Sequence, residues 1–203
     1  RLASVALDFY PTDDLTFETN FSYYKHTMGG YYNSARITSR NGIAMGNIPD
    51  VSSVIASIGK ERFMRTITAS GKFKYAPTES WYFEGGYQWQ KAIRDMYGTS
   101  KTFTNQNGDF SVAASGGNGA ASRFDVQSWF AKAATEFETL GIEHNFGLQA
   151  NGYIWTIYGA KTAGGRANLG NSNLYNPKTF SNPHVTKGSG AYKNSQGSMK
   201  NLT

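Results

Sequence analysis

The sequence predicts an all-β fold, a segment of an antiparallel transmembrane β-barrel with about six strands. Three observations predict it. Apolar and polar residues alternate with the two-residue period of a strand in stretch after stretch. The connections between those stretches are by turns tight and long. The composition suits strands and turns, with 17% charged residues, 15% aromatics and 23 glycines in 203 residues, against about 25% charged in an average soluble domain.

The first strand, residues 2–10, sets Val5, Leu7 and Phe9 against Ser4 and Asp8. The turn Pro11-Thr12-Asp13-Asp14 leads into residues 15–25, where Leu15, Phe17, Phe21 and Tyr23 oppose Thr16, Glu18, Asn20 and Ser22. In the next hairpin Phe63, Ile67, Ala69, Phe73 and Tyr75 share one face and Thr66, Thr68, Ser70, Lys72 and Lys74 the other. Beyond Pro77-Thr78-Glu79-Ser80, Trp81, Phe83, Gly85, Tyr87 and Trp89 oppose Glu84, Gly86, Gln88 and Gln90. In residues 123–138 Trp129, Ala131, Ala133 and Phe137 oppose Ser128, Lys132, Glu136 and Glu138, with Phe130 out of place on the polar side. After Leu140-Gly141, Phe146, Leu148, Ala150 and Ile154 oppose Glu143, Asn145, Gln149 and Asn151.

These strands make one partial barrel domain of three hairpins, at about 2–25, 62–95 and 123–158, and leave long extracellular loops at about 26–61, 96–122 and 159–203. The tight turns carry proline, glycine or acidic residues, each a turn former for its own reason. The loops are rich in Gly, Asn, Ser and Tyr. Compact soluble domains rarely hold several structureless loops of that length, whereas outer-membrane barrels combine short periplasmic turns with long extracellular loops. The first two turns also repeat weakly: Tyr10-Pro11-Thr12-Asp13 reads against Tyr75-Ala76-Pro77-Thr78-Glu79. Trp81 and Trp89 lie on one face about 26 Å apart along a strand, or roughly 20 Å in height at a ~40° tilt, close to the separation of two aromatic girdles.

Other classes are disfavoured. No apolar run approaches the roughly eighteen residues of a transmembrane helix. The absence of cysteine removes disulfide scaffolds and thiolate chemistry. The net charge is +6, but the basic residues are scattered, so no nucleic-acid partner is expected. His26, His144 and His184 lack metal spacing; Glu136 and Glu138 fit a polar strand face, and Gly116-Gly117-Asn118-Gly119 lacks the strand-to-helix context of a phosphate loop. The expectation is no enzyme, no catalytic residue, no metal and no cofactor. Arg1 falls inside the first strand without a leader, and six strands are fewer than the roughly eight that close the smallest barrels, so the chain reads as incomplete.

The turn-centred segments resemble TonB-dependent siderophore receptors, bacterial outer-membrane proteins. The resemblance rests on Leu7-Asp8-Phe9-Tyr10-Pro11-Thr12-Asp13-Asp14-Leu15, on Phe137-Glu138-Thr139-Leu140-Gly141-Ile142-Glu143-His144, and on Asn173-Leu174-Tyr175-Asn176-Pro177. It implies a barrel of about 22 strands filled by a plug, with uptake of a ferric siderophore, as transported ligand, driven by TonB. The plug domain and the TonB box are absent from this sequence. The partners implied are outer-membrane lipid and lipopolysaccharide, the remainder of the barrel and plug, and TonB. A passive porin-type or other-cargo barrel and a soluble β-rich binding module stay open as alternatives.

Aromatic faces beside cationic donors suit a large, often anionic ferric chelate. Candidate ligand-binding residues are Tyr31, Tyr32, Arg36 and Arg40 in the first loop and Arg94, Tyr153 and Trp155 near the upper lumen, with Arg166, Tyr175 and Lys178 in the last loop. Lys25, Arg65, Lys91 and Arg123 all have the parity of the apolar face. The first three stand about eleven residues from their turns, roughly 28 Å up and just above a ~25 Å apolar band. That height predicts an outer cationic rim for lipopolysaccharide phosphates, with snorkelling as the simpler reading.

Overall fold

The computed structural model describes residues 1–28, 62–95, 97–117, 119, 122–181 and 184–203. They form an all-β, antiparallel fold. Its strands are β1 (Leu2–Thr12), β2 (Leu15–Met28), β3 (Arg62–Thr78), β4 (Trp81–Asp95), β5 (Gly98–Phe103), β6 (Asp109–Ser115), β7 (Arg123–Thr139), β8 (Ile142–Thr162), β9 (Arg166–Asn173) and β10 (Ser189–Leu202). Seven build one sheet in the order β1-β2-β3-β4-β7-β8-β10, and β5-β6-β9 build a second of three. Among the described residues the large sheet is open, with β1 and β10 paired on one side only.

The three tight turns lie at one end of the large sheet. In the first hairpin two residues, Tyr10 and Pro11, oppose Thr16 alone between the pairs Phe9↔Phe17 and Thr12↔Leu15. In the second, Ala76 and Pro77 oppose Tyr82 between Tyr75↔Phe83 and Thr78↔Trp81. Both are β-bulges, and the prolines of the sequence repeat occupy equivalent places in them, where a residue without an N–H costs no ladder bond. The third turn joins Thr139↔Ile142 through Leu140 and Gly141, whose φ values of 55° and 77° define a type I′ turn, the type whose twist matches its strands.

Two findings depart from the expected six strands and structureless loops. The region 159–203, expected as a loop, contains the end of β8, all of β9 and a seventh strand of the large sheet, β10, paired with β8 from Ser189↔Thr162 to Leu202↔Ala150. The loop 96–122 contains β5 and β6, and β9 joins β6 from the other loop. The smaller sheet has its own core of Phe103, Phe110, Val112 and Leu174, with Leu169 and Phe180 packed against it. Phe110 and Val112 are fully buried, each stabilising the sheet by about 1.5–3 kcal/mol. Its base is tied to the segment entering β10: Gly165 donates to the Thr186 carbonyl at 2.8 Å and Gly188 to that of Gly117 at 3.1 Å. A Cβ on Gly116 would fall 1.8 Å from the Thr186 oxygen, so only glycine permits this approach.

Candidate functional site

The ladder registers sort the large sheet into two unlike faces. One carries cross-strand rows such as Phe17–Phe73–Gly85–Ala131–Ala150 and Phe21–Ala69–Trp89–Gln127–Ile154. Val5, Leu7 and Phe9 of β1 continue this face. It is exposed on a large scale: Leu7 at 67%, Phe21 at 52%, Phe146 at 60% and Phe137 at 52% are typical. At its turn end Tyr75, Phe83 and Trp81 stack, with centroids 6.3 and 5.6 Å apart, and Phe137 stacks on His144 at 5.1 Å. The apolar face ends at β8. Strand β10 adds Gln196, Ser198 and Lys200 to it, opposite Thr156, Ile154 and Gly152.

The other face is polar and concave. Its rows include Asp8–Glu18–Lys72–Gly86–Phe130–Asn151 and Ala6–Asn20–Ser70–Gln88–Ser128–Tyr153–Met199. Side chains from all seven strands line a single trough of about 630 Å³. A flat sheet of seven strands is about 29 Å across, so one cavity reaches both edges only because the sheet curves around it.

An ion-pair network sits on this face toward the turn end. Lys72 reaches Glu18 at 2.7 Å and Glu84 at 3.7 Å, and Lys74 reaches Glu18 at 2.5 Å. The four side chains are 20–40% exposed, as expected of ion pairs on a face open to water. Toward the loop end Tyr24 stacks on His26 at 6.5 Å. Farther out, in the small sheet, Asn105 and Asn173 each donate an amide N–H to Asp109 at 2.7 Å, which holds its carboxyl below the usual range. Burial pushes the Lys101 ammonium down.

Aromatic rings and glycines face each other across the large sheet, a pattern that sequence reasoning missed. The direct partners are Phe73↔Gly85, Phe130↔Gly86, Trp129↔Gly152, Trp155↔Gly197 and Tyr192↔Gly159. Each ring lies so close over its glycine that an added Cβ would meet it at 2.5–3.1 Å. This arrangement is a known device for bending sheets while filling the space above glycine. It explains Phe130, the residue out of place in the alternation: its ring covers Gly86 on the concave face. A signal was available for Phe73↔Gly85 and Trp129↔Gly152, whose registers follow from tight turns; the other three pairs join strands that no tight turn connects.

The predicted ligand-binding residues are distributed unevenly. Tyr31, Tyr32, Arg36 and Arg40 lie outside the described residues. Tyr153 lines the trough, and Trp155 is its next neighbour on the same face of β8. Arg94 has concave-face parity, but its row, His26–Met64–Arg94, is two rows beyond that of Trp155. That places it roughly 13 Å farther along the strands and ~10 Å across. The structure therefore brings Tyr153 and Trp155 together and leaves Arg94 apart. Arg166 belongs to the small sheet, where it donates to Ser100 at 3.0 Å; Tyr175 is exposed, and the Lys178 amide donates to Ser172 at 2.9 Å.

The four rim residues all lie on the apolar face. Lys25 and Arg65 are direct partners, Lys91 pairs with Ile67, and Arg123 pairs with Ile93. Arg123 is engaged locally: it reaches Asp125 at 3.2 Å and lies over the Tyr158 ring at 3.9 Å. No protein-family model matches this chain, and no curated protein matches it.

Proposed function

We propose that this chain is part of the wall of a bacterial outer-membrane β-barrel, and that the barrel is a TonB-dependent receptor importing a ferric siderophore. The observation that carries the membrane reading is the pairing of an exposed apolar face with a concave polar one in a single sheet. Soluble monomers rarely expose apolar patches beyond a few hundred Å², and in a bilayer that face is satisfied by acyl chains while the backbone groups of the five inner strands stay in ladders. The tight turns would lie on the periplasmic side and the small β5-β6-β9 sheet outside the cell.

The siderophore reading rests on the resemblance of the turn segments, and the trough supports it chemically. Tyr153 and Trp155 offer stacking surface, and Asn20, Gln88 and Asn151 offer hydrogen bonds to a bulky polar chelate. The experiment is uptake of radiolabelled ferric siderophores by iron-starved cells with and without the intact gene. Energised, saturable uptake that stops when the proton-motive force is dissipated is the expected result. Diffusive, unsaturable solute passage would replace this reading with a passive porin. Full folding and solubility without detergent would remove both.

A further inference from the structure

The chain passes between the two sheets four times: from β4 to β5, from β6 to β7, from β8 to β9 and from β9 to β10. Residues 186–188, on the last of these connections, are tied to the other three. The Gly165 N–H, at the start of β9, donates to the carbonyl and the hydroxyl of Thr186 at 2.8 and 3.2 Å. Gly188 donates to the carbonyl of Gly117, just beyond β6, at 3.1 Å. A Cβ on Gly188 would stand 2.8 Å from the Gly117 oxygen and 2.9 Å from that of Thr162, so these segments meet backbone to backbone.

The tie to the β4–β5 connection is made by a side chain. The Lys187 ammonium reaches Asp95 at 2.5 Å and lies 4.9 Å from the Tyr97 ring centre and 5.9 Å from that of Phe63. Phe63 and Asp95 are direct partners across β3 and β4, so ring and carboxylate stand side by side on one face. The Phe63 ring also carries the Lys25 ammonium, at 5.3 Å. Asp95 is only 5% exposed, and its Oδ1 is shut off from solvent without a hydrogen-bond donor among the described residues. Its charge therefore depends on Lys187 for compensation. Burial opposes the charge on Lys187, but the hydrogen bond and attraction of Asp95, with Tyr97 adding to both, outweigh it and lift the ammonium above its usual range.

We propose that Asp95, Tyr97 and Phe63 form a receptor for a primary alkylammonium group, filled from within the chain by Lys187, and that filling it locks the small sheet onto the large one. A carboxylate beside aromatic faces is the chemistry that recognises such a cation. With Lys187 seated, all four connections are held at one point. With it withdrawn, the β4–β5 connection loses this tie, and β5-β6-β9 swing as a body about the remaining glycine contacts. The small sheet keeps its own core of Phe103, Phe110, Val112 and Leu174, so it moves without unfolding. This latch stands on the fold alone and does not depend on the membrane reading.

The test is double electron–electron resonance on the full-length protein, with spin labels at Asn171→Cys on β9 and Ala131→Cys on β7. A second label pair within the large sheet, Leu7→Cys and Ala131→Cys, reports that this sheet is intact. With Lys187 present the distance between the sheets is single and narrow. Lys187→Ala and Lys187→Met each raise the population at other distances about tenfold, well under the effect of breaking a fully buried pair, since the Lys187 side chain is 39% exposed. In Lys187→Ala, n-propylammonium, the part of lysine that alanine lacks, restores the narrow distance at roughly 50 mM, above the millimolar effective concentration of a tethered group. Propan-1-ol and sodium chloride at that concentration do not, and n-propylammonium does not rescue Asp95→Asn. A narrow distance in Lys187→Ala and Lys187→Met, with the large-sheet pair unchanged, overturns the latch. Rescue by propan-1-ol as good as that by the amine, or no rescue by the amine, overturns the ammonium receptor.

Discussion

Substituting Gly86 by alanine tests the aromatic-over-glycine packing that shapes the trough. The new Cβ would sit 2.5 Å from Phe130 Cε1, 3.1 Å from Cζ and 3.3 Å from the Gly71 carbonyl oxygen. The backbone oxygen cannot yield, so the ring must swing off Gly86. Forcing extra volume into a packed site costs about 1–3 kcal/mol, partly offset by the ~0.5–1 kcal/mol gained when a strand glycine is stiffened. The expected net loss is about 1–2 kcal/mol. Gly71→Ala is the internal control: nothing lies within 4 Å of its Cβ position, so it should gain about 0.4–1 kcal/mol. Urea titration of the protein in lipid vesicles, followed by tryptophan fluorescence, measures both. If Gly86→Ala proves as stable as Gly71→Ala, Phe130 does not cover Gly86. In a double-mutant cycle Phe130→Ala should relieve the Gly86→Ala penalty, with a coupling of about 1 kcal/mol.

Leu140 holds a left-handed conformation at φ 55° while 97% exposed. Leu140→Asn should therefore raise the urea midpoint by the equivalent of about 1 kcal/mol. Phe110→Ala should cost about 3–5 kcal/mol, confined to β5, β6 and β9, so hydrogen exchange should accelerate there and stay unchanged in β7 and β8. The Asp109 carboxyl is held down by its hydrogen bonds from Asn105 and Asn173. Its contribution is thus complete above the unfolded aspartate pKa of about 3.9 and is lost as pH falls through the lower folded value. Exchange in β6 should accelerate over that acid range in wild type and lose this dependence in Asp109→Asn.

The three hairpins and their two faces were legible in the sequence because large apolar side chains alternate with polar ones over long stretches. Strand β10 was not, since Gln196, Ser198 and Lys200 on one face and Gly197, Met199 and Asn201 on the other give no contrast to read. Phe110, Val112 and Ala114 do alternate with Asp109, Ser111 and Ala113, but the run is short. Its partner strand β9 arrives from another loop, so its pairing is a tertiary fact. Among candidate site residues, parity placed Tyr153 and Trp155 on the concave face and the rim cations on the other. It could not separate Arg94 from the first two, or reveal that Asp125 engages Arg123, because those depend on register across strands.

The claim on which most rests is that one face of the large sheet meets lipid and the other meets water. Trp89 and Trp129 lie on the apolar face and Trp155 on the concave one, so the protein carries its own probes. Three single-tryptophan variants, the other tryptophans replaced by phenylalanine, would be folded into vesicles containing lipids brominated on their acyl chains. Bromine should quench Trp89 and Trp129 strongly and Trp155 hardly at all, and aqueous iodide should show the reverse order. Quenching of Trp89 and Trp129 by iodide but not by bromine would contradict the membrane wall outright.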